Sequence, residues 1–284
     1  DMIKINRKNF RDFGAYALVT GAASGMGRLY AHKLALKGYN LILVDINSDR
    51  LDDVSGEIRS LIASAGGWRA EYAGAFDLRT IVQDLSRPDA ARKVAEASAG
   101  CEVEVLVNNA GIMYSRPIIE TDPAALSLMM MVHTYTPLML CREFVPAMVE
   151  RGNGYVLNVS SLAAWMDWPV IGMYGNTKRF VKGFSRSLRV ECRGTGVSVT
   201  NAYFGAVDTP LIPLKPSLRS LARNLRVMID ADKATDKALN ATFGRRKGTM
   251  PGLLNKIFLP FIVMLPDRLL AFVVNRFRRY VTTG

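Results

Sequence analysis

The sequence predicts an α/β protein built on a single doubly wound parallel sheet, followed by a helical C-terminal extension. Three observations predict it. Short apolar runs alternate with amphipathic helical segments over the first two-thirds of the chain, the pattern of strands buried on both faces. A glycine-rich turn joins the first such run to the first helix. The alternation has no fixed-period repeat and no low-complexity linker, so one domain is the simplest division, with residues 1–210 as its dinucleotide-binding part and 211–284 as an extension.

The elements follow in order. Ala15–Thr20 is a buried strand ending at Gly21, and Arg28–Lys37 has helical periodicity that stops at Gly38. Leu41–Val44 is a second strand ending at Asp45, and Leu51–Ala65 a helix. Arg79–Val82 leads into Asp84, Asp89–Ala99 is helical, and Val103–Val107 is a fourth strand. A long helical region, Ala124–Glu150, contains Pro137 and Pro146. Gly154–Val159 is a strand, Tyr174–Arg193 a helix and Val197–Ala202 a further strand.

Composition excludes little. The 284 residues are 49% hydrophobic and 22% charged, ordinary for a globular chain with a substantial core. The net charge of +12 is concentrated: from Lys215 onward 14 Lys or Arg face 4 Asp, a net +10, leaving +2 for the rest. Cys101, Cys141 and Cys192 are odd in number and widely spaced, so neither a disulfide framework nor a metal site is expected. Asp1–Lys8 carries no apolar run of the secretory kind, and Ile257–Val274 is broken by Pro260, Pro266, Asp267 and Arg268. A cytoplasmic location is the expectation.

The turn Gly21-Ala22-Ala23-Ser24-Gly25-Met26-Gly27 allows the backbone to approach a pyrophosphate, and the helix behind it offers unpaired N–H groups and a positive dipole end. Asp45 follows 18 residues after Gly27, where a carboxylate can accept the ribose hydroxyls of an adenosine and repel a 2′-phosphate. Neither Ile46 nor Asn47 is cationic, so NAD is expected over NADP. Tyr174 and Lys178 are one helical turn apart on the same face. A phenol has a pKa near 10, so use as a base near neutrality requires a lowering by roughly 2–3 units, about 3–4 kcal/mol, for which a nearby ammonium is a source. Ser161 precedes Tyr174 by 13 residues and can hydrogen-bond a substrate oxygen.

With these residues in family order and spacing, the chain resembles the short-chain dehydrogenase/reductase family over about residues 16–210. Asp84, the run Asn108-Asn109-Ala110-Gly111 and Gly205 to Thr209 complete the motif set. The resemblance implies a Rossmann-type sheet with nicotinamide cofactor across its carboxyl ends, and exchange of an alcohol for a ketone. It makes Tyr174 the acid/base, has Lys178 tune it and bind the nicotinamide ribose, and has Ser161 polarise the substrate. It places Asp84 and Leu85 by the adenine, has Asn108, Ala110 and Gly111 steady the sheet and line the cofactor site with Asn109, and turns Val207 and Thr209 toward the carboxamide. Two departures stand out. His133 occupies the position, 13 residues before Pro146-Ala147-Met148, where the family carries an Asn that helps hold a relay water. Its ring is expected in or beside that relay. Phe204-Gly205 replaces the usual Pro-Gly.

The substrate end is apolar. Leu211, Ile212, Leu214, Leu218 and Leu221 would cover it and Trp165, Met166 and Trp168 would face them, which suits a steroid- or lipid-like alcohol or ketone. From Leu253 to Tyr280 apolar residues mix with Lys256, Arg268, Arg276, Arg278 and Arg279. That mixture fits either peripheral membrane contact or packing against another subunit of a homo-oligomer. No nucleic-acid-binding motif occurs. A rival reading is a non-catalytic dinucleotide-binding sensor or scaffold.

Overall fold

The computed structural model describes residues 10–166, 168–208, 228–252, 263–272 and 276. Seven strands form one parallel sheet: β1 (Tyr16–Thr20), β2 (Asn40–Asp45), β3 (Leu78–Val82), β4 (Val103–Asn108), β5 (Gly154–Ser161), β6 (Val197–Phe204) and a short strand, Gly248–Thr249. The spatial order is β3, β2, β1, β4, β5, β6 and then the short strand, each pair in parallel register. Two further short strands, β7 (Ala206–Val207) and β8 (Met228–Ile229), pair as a separate ribbon beyond the end of β6. The short strand of the main sheet is therefore β9.

Helices cover both faces, as the runs of apolar strand residues require. Successive residues of β1 divide between the two cores. Val19 packs with Leu41 and Leu43 under α1 (Gly25–Leu36), α2 (Ser48–Ala63) and a helix at Ala231–Phe243. Leu18 packs on the opposite face with Ile42, Val44 and Leu106, beside α3 (Ala90–Ala97) and a helix at Thr136–Glu150. All of these strand side chains are fully buried. The period of two in the strands thus supplies two cores from one sheet.

The long helical region is not continuous. It divides into α4 (Pro123–Met130), a single π-turn (Met131–Tyr135) and α5 (Thr136–Glu150). Pro137 gives the physical reason. It has no N–H for the carbonyl four residues earlier, that of His133, and its ring crowds that carbonyl, so the helix widens there. By length and composition, Pro123–Glu150 could cross a membrane. In this fold α5 instead packs against α3 and β4, which makes it a core helix. The next helix, α6 (Gly172–Glu191), lies on β5 and β6.

The C-terminal segment is partly integral to the sheet. The helix Ala231–Phe243, α7, packs on α1, where Lys33 Nζ lies 2.9 Å from an Asp232 carboxylate oxygen, and β9 pairs with Asn201 and Ala202 of β6. The proposed cover Leu211–Leu225, Thr209 and most of 253–284 lie outside the described residues.

Candidate active site

The chain reverses its winding direction between β1 and β4, and ligands of such sheets bind in the crevice at the carboxyl ends of those strands. The glycine turn sits there. Gly21 has φ of +64°, and a Cβ on it would lie 2.8 Å from Ala110 Cα. A Cβ on Gly27 would lie 1.9 Å from the Gly21 carbonyl oxygen, so the turn closes only around glycine. Ser24, at the N-cap of α1, makes no side-chain cap, and the first turn holds no acidic residue. The leading N–H groups of α1 are thus left for an anion, which is the fit a dinucleotide pyrophosphate requires.

The walls of that crevice are cross-linked. The Thr20 hydroxyl accepts the backbone N–H groups of Asn109 and Ala110 at 3.0 and 3.1 Å. The Asn109 amide donates to the carbonyls of Thr20 and Gly21. Asn108 points the other way: its amide donates to Asn158 Oδ1 at 2.8 Å inside the sheet. Asp45 is fixed at the mouth, with Oδ2 accepting Ala23 N–H at 3.0 Å and Oδ1 accepting Asn47 N–H at 3.1 Å. Asp84 accepts the Ser86 hydroxyl and N–H, which hold its carboxyl below the usual range, and Leu85 beside it is buried. Val207 is buried in the β7–β8 ribbon.

The chemical centre lies where β5 ends and α6 begins. Ser161 closes β5, and its hydroxyl accepts Ala163 N–H at 3.1 Å and meets the Tyr174 phenol. Tyr174 and Lys178 occupy successive turns of α6 on its buried side, with Lys178 Nζ 5.7 Å from the Tyr174 ring centre. The ammonium donates to Val159 O at 3.1 Å.

Electrostatics differ from the sequence expectation of a phenol depressed by a neighbouring cation. Burial raises the Tyr174 pKa, and the Ser161 hydroxyl opposes that rise. Lys178 is buried as well, and desolvation brings its pKa down to about 8. Low polarity disfavours both charged forms at once.

His133 is the centre of a network that the sequence did not show. Ile112 N–H donates to Nε2 at 2.9 Å, and Nδ1 lies 2.9 Å from Thr177 Oγ1. Thr177 Oγ1 donates to Tyr174 O at 2.7 Å. The tautomer follows: Nε2 accepts, so Nδ1 carries the proton and donates to Thr177. Both ring nitrogens are occupied by protein, so the ring stands beside the Tyr–Lys pair without a nitrogen left for a relay water. Burial and then the Lys178 charge hold its pKa well below the ordinary value. Its edge meets the Tyr174 ring at 5.6 Å, and a Cβ on Gly111 would fall 3.1 Å from Nε2.

The surroundings are apolar. Tyr174 clusters with Met129 and Ala163, and with the partly buried Ile112, Met113, Ile171 and Met173. Ile118 and Ile119 are exposed nearby in sequence, Ile119 at 93%. Trp165 packs on Tyr203 at 5.6 Å, under the Lys182 ammonium.

Comparison with known proteins agrees with this fold. A family model described as short chain dehydrogenase matches residues 15–216. A curated relative, very-long-chain 3-oxoacyl-CoA reductase-B of Danio rerio, is 33% identical over 211 residues, which cover 72% of this chain and 64% of that protein's length. Among solved structures, one described through 7beta-hydroxysteroid dehydrogenase stereoselectivity superposes with a TM-score of 0.78 at 24% identity, covering 96% of this chain and 99% of the other. A metagenomic short-chain oxidoreductase in complex with NADP is 27% identical with a TM-score of 0.67, covering 85% and 99%.

Proposed function

We propose, for a chain that belongs to the short-chain dehydrogenase family, that it reduces a lipid-like ketone, with a 3-oxoacyl thioester as the favoured substrate. The observation that carries this reading is the Tyr174 phenol, held against the Ser161 hydroxyl, one helical turn from Lys178 and above the switch point of the sheet. The apolar cluster around Tyr174 suits a hydrophobic substrate, and the name of the Danio rerio relative supplies the thioester.

The residues that would hold a nicotinamide dinucleotide are the glycine turn with Ser24 and Met26, then Asp45, Asp84, Asn109 and Gly111. When bound, that group supplies or accepts the hydride. Every other step falls to the chain. Ser161 donates to the substrate oxygen, and Tyr174 passes its proton to that oxygen as the carbonyl carbon is reduced. The phenol is protonated at neutral pH and burial raises its pKa further, so it can serve as the acid that reduction of a carbonyl requires. Lys178 recharges it: with a pKa of about 8 its ammonium gives up a proton more readily than an ordinary lysine. Pro137 removes the α-helical donor of the His133 main-chain carbonyl, and a relay water would find an acceptor in that oxygen. The imidazole positions Tyr174 and the loop at Ile112.

Asp45 favours NAD(H), because its anchored carboxylate accepts from ribose hydroxyls and repels a 2′-phosphate. Exposed Met264, Leu269 and Phe272 beside Arg268 support shallow contact with a lipid surface. Reduction of a 3-oxoacyl thioester by wild-type protein, lost in Tyr174→Phe with dinucleotide binding retained, is the expected result. Tight cofactor binding with no turnover of any ketone would favour the sensor reading instead.

A further inference from the structure

One flank of α6 carries Arg179, Lys182, Arg186 and Arg189, spaced three, four and three apart, so all four share one face of the helix. Among the described residues no carboxylate stands within ion-pair distance of Lys182, Arg186 or Arg189. Like charges at such spacings repel and destabilise a helix. Burial and then the charges of Arg179 and Arg186 hold the Lys182 ammonium below its ordinary pKa.

The row is built into the fold. Arg179 Nε donates to Ala164 O at 3.3 Å, and Arg189 donates to Val199 O and Lys247 O, both at 2.7 Å. Lys182 Nζ lies 3.3 Å from the centre of the Trp165 ring. The buried indole N–H of Trp165 finds no acceptor among the described residues. Trp165 closes the short helix that starts directly after Ser161, so this flank is continuous with the wall of the active site.

We propose that this flank, with Lys182 and Arg186 at its centre, is the cradle for the phosphate groups of a coenzyme A-type thioester whose 3-oxo group is reduced at Tyr174. The proposal rests on the thioester reading above and adds where the carrier binds. Its reach agrees. At about 1.5 Å per residue, Lys182 and Arg186 lie roughly 12 and 18 Å along α6 from Tyr174. A pantetheine arm of about 13 bonds, each advancing roughly 1.2 Å when extended, spans roughly 16 Å. Guanidinium and ammonium groups in a row suit a diphosphate and a 3′-phosphate.

The test compares one 3-oxoacyl chain on coenzyme A and on N-acetylcysteamine, which lacks every phosphate. The full-length protein is used, as wild type, Arg186→Glu, and the milder Lys182→Gln/Arg186→Gln in case charge reversal impairs folding. The expected result is a KM ratio that shifts at least tenfold against the coenzyme A thioester in the variants, with a steeper salt dependence in the wild type. An unchanged ratio would overturn the cradle while leaving the reductase intact. If neither thioester is turned over, the reductase reading fails separately. Calorimetric binding of coenzyme A alone then decides the cradle, since binding lost in the variants supports it and equal or absent binding overturns it. Loss of binding to phosphatidylserine vesicles with coenzyme A binding unchanged would assign the row to a membrane and also overturn the proposal.

Discussion

Replacing Lys178 with methionine should make the protein more stable and less active. Burial pulls the ammonium from 10.5 to about 8. At about 1.4 kcal/mol per pH unit, keeping it charged costs the folded state roughly 3 kcal/mol. Methionine keeps the apolar stem and removes the charge, but it also removes the bond to Val159 O, worth about 1 kcal/mol. The net expectation is a gain of roughly 2 kcal/mol at pH 6. The pH dependence is distinctive. Below pH 8 both folded and unfolded chains hold the Lys178 proton, so the whole penalty is present. Between about 8 and 10.5 the unfolded chain binds more protons than the folded one, and wild-type stability rises relative to the variant. The advantage of methionine should therefore be flat to about pH 7 and shrink as pH climbs toward 10. Urea unfolding of both proteins from pH 6 to 10, without cofactor, measures it. A wild type more stable at pH 6, or a difference that does not change with pH, would refute the argument that desolvation governs this lysine.

Three other outcomes follow from the geometry. Gly27→Ala should weaken dinucleotide binding by about 100-fold or more, since its Cβ would overlap the Gly21 carbonyl; fluorescence titration with NADH measures this, and near-wild-type affinity would show the turn is looser than described. Asp45→Ala should narrow the preference for NADH over NADPH by about tenfold and cost about 1–2 kcal/mol through the loss of the carboxylate that accepts two backbone N–H groups; an unchanged cofactor ratio removes Asp45 from discrimination. Nitrogen-15 NMR of labelled histidine should find His133 as a neutral Nδ1–H tautomer across pH 5–8, and a ring that titrates near 6.5 would contradict the enclosed network.

How far the sequence reveals this molecule depends on the range of the interactions. Strands and helices around the sheet were legible because they rest on local periodicity: Leu18 and Val19 face opposite cores as alternation requires. The meeting of Ser161, Tyr174 and Lys178 was legible because one helix turn and one strand end fix it. Partners set by tertiary approach were hidden. Thr177 lies inside the Tyr174–Lys178 spacing, yet nothing local shows that it accepts from a histidine 44 residues earlier. The interruption near His133 could have been read from Pro137, whose missing N–H falls four residues after it. The sign of the Tyr174 pKa was hidden for another reason: charge proximity is visible in spacing, whereas desolvation depends on everything packed around the pair. The place of α7 and β9 in the sheet was masked by the uneven charge of the C-terminal quarter, which invites reading it as one basic appendage.

The histidine explains how a site can depart from its family pattern and keep its geometry. Three elements must be held in register: the loop after β4, the π-turn and α6. An imidazole presents its acceptor and its donor on different edges of the ring, so it can take the Ile112 N–H with Nε2 and reach Thr177 with Nδ1. Asparagine carries both groups on one short arm and is less able to span that gap. Such a clamp works only if the ring is neutral, because a second proton would abolish the acceptor that Ile112 needs. The environment enforces neutrality twice, by burial and by the Lys178 charge beside it. Lys178 and His133 therefore do not compete for the role of proton source: the nearby cation that keeps the imidazole uncharged is the one whose own proton burial has loosened. In the mechanism proposed above, proton supply to Tyr174 would run from Lys178, and His133 would act on the reaction through the position of the Tyr174 backbone, which Thr177 connects to the ring.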